Sequence, residues 1–163
     1  MPKPDHPITP AIRMLREKNI AFEPHLYEYK EHGGTRASAQ ALGVDEHCVI
    51  KTIILETDTR APLIVLMHGD REVSTKTLAR LLGVKVVSPS DPATVQKNTG
   101  YLVGGVSPFG TRKVMPVYAE KTIFDLPEIY INGGKRGFLV EINPADLRAA
   151  FKVEEVEVAI EQH

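Results

Sequence analysis

The segment Thr99-Gly100-Tyr101-Leu102-Val103-Gly104-Gly105-Val106-Ser107-Pro108-Phe109-Gly110 constrains this chain more than any other. Its glycines argue against a packed helix, while Tyr101, Leu102, Val103 and Phe109 make it too apolar for an idle surface loop. Glycine lets a backbone take positive φ and lets a ligand come close, and Pro108 fixes φ inside the run. A loop held this way can aim bare N–H groups at an oxyanion or a carbonyl. A tight connection between a helix and a strand is the plainer alternative. The spacing does not match GxGxxG, and no Gly-Lys-Ser/Thr follows, so two common phosphate loops are excluded. A second glycine-rich turn, Gly133-Gly134-Lys135-Arg136-Gly137, carries two cations but leads into a strand, so it offers no helix N-terminus to a phosphate.

The elements around these loops are mixed. Thr9-Pro10 reads as an N-cap with proline at the first helical position, followed by an apolar stripe through Ile12 and Leu15 up to Lys18. Phe22 to Tyr29 alternates like a strand, and Thr35 to Leu42 reads as a short helix stopped by Gly43. VIKTIILE (49–56) and PLIVLM (62–67) are rich in β-branched residues and flank a polar turn, which predicts a hairpin. Ser74 or Thr75 caps a helix that ends at Gly83, and Asp91 starts another that ends near Gly100. Strands are expected at 85–87, 114–118, 128–131 and 138–142, with a last helix at 145–151 after Asn143-Pro144. The tail from Lys152 is either an edge strand or a frayed end. Without a strict βαβ rhythm this pattern predicts an α+β (mixed α/β) domain, and the length of 163 residues predicts one domain over 1–163.

Several chemistries are disfavoured. A net charge of −1 does not suit a protein that wraps a long nucleic acid, so DNA is not an expected partner, although a few phosphates could be touched locally. No apolar run reaches membrane-spanning length, and the polar, proline-rich Met1–Pro10 lacks the apolar core of a secretion signal. Cys48 is the only cysteine, which fits a reducing compartment, so a cytoplasmic location is expected. None of the six histidines forms HExxH and there is no CxxC, so neither a metal nor any other cofactor is expected. Ser107 lies in GVSPF rather than GxSxG. Lys51 sits within an apolar strand, on the face of Ile53 and opposite Ile50, Thr52 and Ile54. It is either a solvated lysine or one that faces a cavity.

TGYLVGGVSPFG (99–110) followed by INGGKRGFLVEI (131–142) closely resembles the YbaK family of bacterial aminoacyl-tRNA deacylases, relatives of the editing domain inserted in prolyl-tRNA synthetase. TPAIRMLREKNIAFEPHLYEY (9–29) and IKTII (50–54) resemble it in the same order, so the resemblance covers roughly residues 8–152. It implies a strongly twisted, barrel-like mixed sheet flanked by helices. It implies hydrolysis of the ester between a mischarged amino acid and the terminal ribose of tRNA, with Cys-tRNA(Pro) as the leading substrate.

The resemblance assigns Lys51 as the catalytic residue, with Tyr27, Thr52, Gly104, Gly105, Ser107, Pro108, Lys135 and Arg136 binding substrate. N–H groups near Gly104 and Gly105 are expected to orient the ester carbonyl. In cysteine-specific members the substrate's own thiol attacks, and in other relatives a positioned water does, so positioning replaces a protein nucleophile. The expected partners are the aminoacyl-tRNA acceptor end and prolyl-tRNA synthetase. The chain departs from the family at 32–37 (HGGTRA), where an aromatic and acidic residues are missing, and at Asn132 and Leu139, which replace a serine and an acidic residue. His32 is either a pocket residue or a solvated one. The departures leave two alternatives: a deacylase for alanine or serine, and a non-catalytic module that binds an aminoacyl-adenylate or a synthetase.

Overall fold

A computed structural model describes residues 5–162. Its first helix, α1 (Pro10–Glu17), starts where the Thr9 hydroxyl oxygen accepts the Ile12 N–H at 3.1 Å, and it buries Ala11, Ile12 and Leu15. The elements that follow are β1 (Glu23–Leu26), α2 (Gly34–Leu42), β2 (Val49–Thr57), β3 (Pro62–His68), β4 (Arg71–Val73), α3 (Thr75–Leu82) and β5 (Val87–Pro89). The second half holds α4 (Pro92–Thr99), β6 (Val117–Glu120), β7 (Ile129–Lys135), β8 (Phe138–Ile142), α5 (Asp146–Ala150), β9 (Val153–Val156) and β10 (Ala159–Glu161). Ser74 and Asp91 cap α3 and α4 through side-chain oxygens, and Gly43 and Gly83 end α2 and α3 in the left-handed conformation.

Eight strands form one mixed sheet in the order β1-β8-β7-β2-β3-β6-β9, with β5 added on β2. β2 and β3 form the expected antiparallel hairpin, with Lys51 opposite Met67. β2–β7, β3–β6 and β6–β9 are parallel. The barrel-like expectation takes a different form here: among the described residues no ladder joins β1 to β9, so the sheet stays open. β3 is buried from Leu63 to His68, as suits a near-continuous apolar run in a central strand. One core packs Ile50, Ile54, Ile64 and Leu66 with α1, Phe109 and Phe138. A second packs Leu55, Leu63, Val65 and Met67 with α3 and Val158.

Four strands differ in their limits from the sequence reading: β1 stops at Leu26 instead of Tyr29, and β7 runs on to Lys135 instead of ending at Ile131. β5 and β6 lie two to three residues later than expected, because Val86 and Val114 are left exposed and the pairing begins beyond them. The tail is ordered: β9 pairs with β6, and β10 pairs with β4 in a separate two-stranded sheet.

The outer edge of β2 is interrupted. β7 pairs it only at Val49 and Ile50, and β5 only at Leu55 to Thr57. Ser90 N–H donates to the Ile54 carbonyl at 3.1 Å, so Ile54 turns its main-chain groups toward β5. Antiparallel alternation then turns those of Thr52 to the same side, into the gap between β5 and β7.

Candidate functional site

A cavity of about 560 Å³ opens at this gap. β2 contributes Lys51, Thr52 and Ile53 to its wall. The segment after β1 brings Tyr27, Tyr29 and His32, the glycine loop brings Val103, Gly104 and Val106, and β7–β8 brings Asn132, Arg136 and Leu139. Two distant glycine-rich loops and one apolar strand therefore meet at a single opening.

Lys51 is half-buried, and its Nζ donates to the Arg71 carbonyl at 2.7 Å. Among the described residues no carboxylate lies within ion-pair distance of it. An ammonium carries three N–H donors, so two remain for a ligand. Burial pushes its pKa below the usual lysine value, against the opposing pull of Glu46, Glu72 and Asp70.

The turn that presents the Arg71 carbonyl is itself braced. The Asp70 carboxylate accepts from His47 Nδ1 at 2.7 Å and from the Arg71 guanidinium at 3.0 Å. Burial pushes the Asp70 carboxyl up, but His47 and Arg71 together outweigh it and hold the carboxyl below its ordinary value. The His47 ring stacks on His68 with centroids 3.7 Å apart. Burial pushes the His68 imidazole toward its neutral form.

Beside Lys51, the Thr52 hydroxyl oxygen is buried with no hydrogen-bond partner. A buried unpaired hydroxyl costs about 1–3 kcal/mol, so this one marks a place that a ligand can repay.

The glycine loop is tied to the β7–β8 turn by side chains. Asn132 Nδ2 donates to the Gly104 carbonyl at 3.2 Å, and Arg136 Nε donates to the Val103 carbonyl at 2.9 Å. The Arg136 guanidinium lies over the Tyr29 ring, 5.2 Å from its centroid. Within the loop the buried Tyr101 hydroxyl donates to the Phe109 carbonyl at 2.6 Å.

Of the residues expected to bind substrate, Tyr27, Thr52, Gly104 and Arg136 share the cavity wall with Lys51. Four others lie elsewhere. Ser107 is fully buried and its hydroxyl oxygen accepts the Phe109 N–H at 3.2 Å, so it braces the loop. Pro108 lies on a separate cavity of about 670 Å³, together with Met14, Val114 and Phe151. The Gly105 N–H donates to the Leu102 carbonyl at 2.8 Å and is therefore spent within the loop instead of being open to an ester carbonyl. A Cβ on Gly105 would stand 2.7 Å from the Arg136 nitrogen, so this glycine serves close packing of the two loops. Lys135 is exposed and off the cavity wall. His32 does line the cavity, exposed and with φ of 58°. Tyr29 and the Arg71 carbonyl escaped the sequence reading. Tyr29 could have been found by its alternation with Tyr27, whereas a main-chain carbonyl leaves no mark in a sequence.

Known proteins resemble this chain in sequence and in fold. The sequence model of the aminoacyl-tRNA editing domain matches residues 32–150. The chain is 28% identical over 137 residues to the Enterococcus faecalis protein EbsC, assigned as a Cys-tRNA(Pro)/Cys-tRNA(Cys) deacylase, over 83% of this chain and 84% of that one. It is 35% identical over 97 residues to the proline–tRNA ligase of Moorella thermoacetica, covering 59% of this chain but only 17% of the ligase. Among solved structures, hypothetical protein APE2540 superposes with a TM-score of 0.85 at 21% identity, over 93% of this chain and all 100% of that one. A protein assigned as a trans-editing enzyme for prolyl tRNA synthetase superposes with a TM-score of 0.79 at 20% identity, over 96% and 100%. At those identities the structural likeness speaks for the fold alone.

Proposed function

This chain belongs to the aminoacyl-tRNA editing domain family, and we propose that it is a trans-editing deacylase that hydrolyses the ester of mischarged tRNA, with Cys-tRNA(Pro) as its leading substrate. The observation that carries the reading is the Lys51 ammonium, held by a main-chain carbonyl on the wall of a gap in the sheet that also takes in Thr52, the next residue of the strand, with its unpaired hydroxyl. An ammonium held by a neutral carbonyl keeps its charge available for a phosphate or for an oxygen on which negative charge develops.

In the proposed reaction a water, or the thiol of the bound cysteine, adds to the ester carbonyl and its proton is released. The carbonyl oxygen becomes an oxyanion. As the carbonyl reforms, the bond to the ribose oxygen breaks and that oxygen takes up a proton; attack by water gives the free acid directly, whereas attack by the thiol gives a cyclic thioester whose C–S bond a water then breaks, returning the thiol. Lys51 balances the negative charge or holds the terminal phosphate or ribose, and the wall keeps the reacting groups aligned. The reading asks for no protein nucleophile. Ser107 is buried in its loop, and burial with nearby acids keeps the Cys48 sulfur in its thiol form, off the cavity wall.

The likeness to EbsC supports cysteine as the amino acid removed. The apolar Leu139 and Val106 on the wall favour a second reading, a deacylase for a small residue such as alanine or serine. The acceptor end of tRNA is the proposed partner, with prolyl-tRNA synthetase supplying affinity that a chain of net charge −1 does not. Its place of work is then the cytoplasm. Among the described residues no helix is long and apolar enough to cross a membrane.

Incubation with tRNA(Pro) charged with cysteine, alanine or serine tests this reading. Preferential loss of the cysteinyl ester supports it, and preferential loss of alanine or serine moves the specificity. Saturable binding with no ester lost overturns the enzyme in favour of a binding module.

A further inference from the structure

The carbonyl that holds Lys51 belongs to a strand whose single ladder partner, among the described residues, is the C-terminal strand. β4 pairs with β10 through Val73–Ala159, Glu72–Ile160 and Arg71–Glu161. Ser74 N–H donates to the Val158 carbonyl at 2.7 Å, one step further along the same register. That marks Ser74–Val158 as a hydrogen-bonded position of the ladder. Alternation makes Glu72–Ile160 the next such position, and Arg71–Glu161 a position whose main-chain groups point away from the partner strand. The Arg71 carbonyl is thus turned from β10 toward β2, where it meets Lys51 Nζ.

The tail is fastened at both ends. Glu120 is buried, and its carboxylate accepts the Val158 N–H at 2.6 Å and the Ala159 N–H at 3.1 Å. Gln162 Nε2 donates to the Gly69 carbonyl at 3.2 Å, on the turn just before Asp70 and Arg71. The Thr35 hydroxyl donates to the same carbonyl from the cavity side. All of these tail contacts lie beyond residue 150, where the match to the editing-domain sequence model stops.

We propose that β10 is a positioning strand for Lys51, fixing β4 so that the Arg71 carbonyl holds the ammonium in the cavity. This rests on the reading of Lys51 as the residue that assists deacylation. β10 touches neither the cavity nor the substrate. Without it, β4 keeps its covalent ends but loses its ladder, and the ammonium loses a fixed acceptor. Uncertainty in the ammonium position lowers turnover more than binding, because the transition state demands the alignment.

The test is a stop codon after Ala159. It removes the ladder residues from Ile160 onward and leaves both N–H groups that satisfy Glu120. Ile160→Pro, which deletes one ladder donor, is the second variant if the truncation does not fold, and Ile160→Val is the control. Two readouts are taken on the full-length protein and each variant: steady-state deacylation of mischarged tRNA, and the 13Cε resonance of Lys51, assigned by its absence in Lys51→Arg. The expected result is a kcat lowered about tenfold with KM little changed, and a Lys51 resonance displaced toward that of exposed lysines while other lysines stay put. Ile160→Val matches the full-length protein in both. An unmoved Lys51 resonance with unchanged kcat in a folded variant overturns the proposal. If the full-length protein deacylates nothing, the enzymatic reading fails by itself, and the resonance still decides whether β10 positions Lys51.

Discussion

Gly104 and Tyr29 are packed so closely that a Cβ on the glycine would stand 2.6 Å from the tyrosine hydroxyl and 3.1 Å from its ring. Gly104 also has φ of +94°, a conformation that favours glycine. Gly104→Ala must therefore displace Tyr29 from beneath the Arg136 guanidinium, besides straining its own backbone at a cost of about 1–3 kcal/mol. We expect a lower unfolding midpoint and a fall in kcat/KM of about 10- to 100-fold, since a small misplacement in the wall is amplified at the reacting atoms. Wild-type kinetics in the variant would show that the contact does not shape the cavity.

Lys51→Ala should lower kcat by about 100- to 1,000-fold, the usual loss when a charge-stabilising group is removed. Lys51→Met, which keeps the aliphatic stem, should lose as much activity without losing stability, because burial disfavours the charge it deletes. Chemical denaturation read alongside turnover separates the two effects. Full deacylation by either variant removes Lys51 from the mechanism.

The lowered Lys51 pKa carries a pH signature. The ammonium is the working form, so deacylation corrected for spontaneous ester hydrolysis should fall as pH rises through a value below the ordinary 10.5. Stability runs the other way. The unfolded chain holds this proton more tightly than the folded one, so the Lys51 contribution improves as pH rises between the folded and unfolded values. A pH–rate profile with no alkaline fall below that range excludes a protonated Lys51 from the reaction.

Thr52→Val tests whether the unpaired hydroxyl is there for a ligand. Removing a buried, unsatisfied hydroxyl should stabilise the free protein by about 1 kcal/mol. The same change should lower kcat/KM about tenfold if that hydroxyl bonds to the substrate, with Thr52→Ser keeping activity. Thermal melts and kinetics that both improve in Thr52→Val would count against a substrate contact.

Ser107→Ala should behave in the opposite manner. It leaves the Phe109 N–H without its acceptor, at a cost of about 1 kcal/mol in a denaturation curve. Because Ser107 lies away from the cavity wall, kcat should stay near wild type. A large kcat loss with intact stability would return Ser107 to the substrate.

The fold was legible where chemistry is local. Thr9, Ser74 and Asp91 cap helices because their side chains bond N–H groups three residues on, and those partners lie in the same stretch of sequence. β2 and β3 were legible because two long apolar runs flank a short turn. Val86 and Val114 misled because strand limits depend on the partner strand, which lies far away in the chain. The site divides in the same way. The resemblance drew attention to Lys51 and Gly104, and the structure sets both on one cavity. Ser107, Pro108 and Gly105 sit within the same motif yet face other directions: Ser107 and Gly105 bond within the loop, and Pro108 faces the second cavity. The Arg71 carbonyl could not be read at all, since every residue has one.

The interrupted edge of β2 has a consequence for how such a cavity can change its diet. Thr52 turns its peptide groups into the gap, and a peptide group is the same whatever residue bears it. The main-chain part of that floor is thus indifferent to substitution, whereas the Lys51 and Thr52 side chains, and Asn132, Leu139 and Val106 around them, are not. On the proposed reading, one set of reactive contacts can serve several amino acids, and a few exchanges in the rim choose among them. A bare strand edge on the outside of a protein invites other chains to pair with it. On the proposed reading this one, set at the mouth of a cavity, receives the aminoacyl end of a tRNA instead.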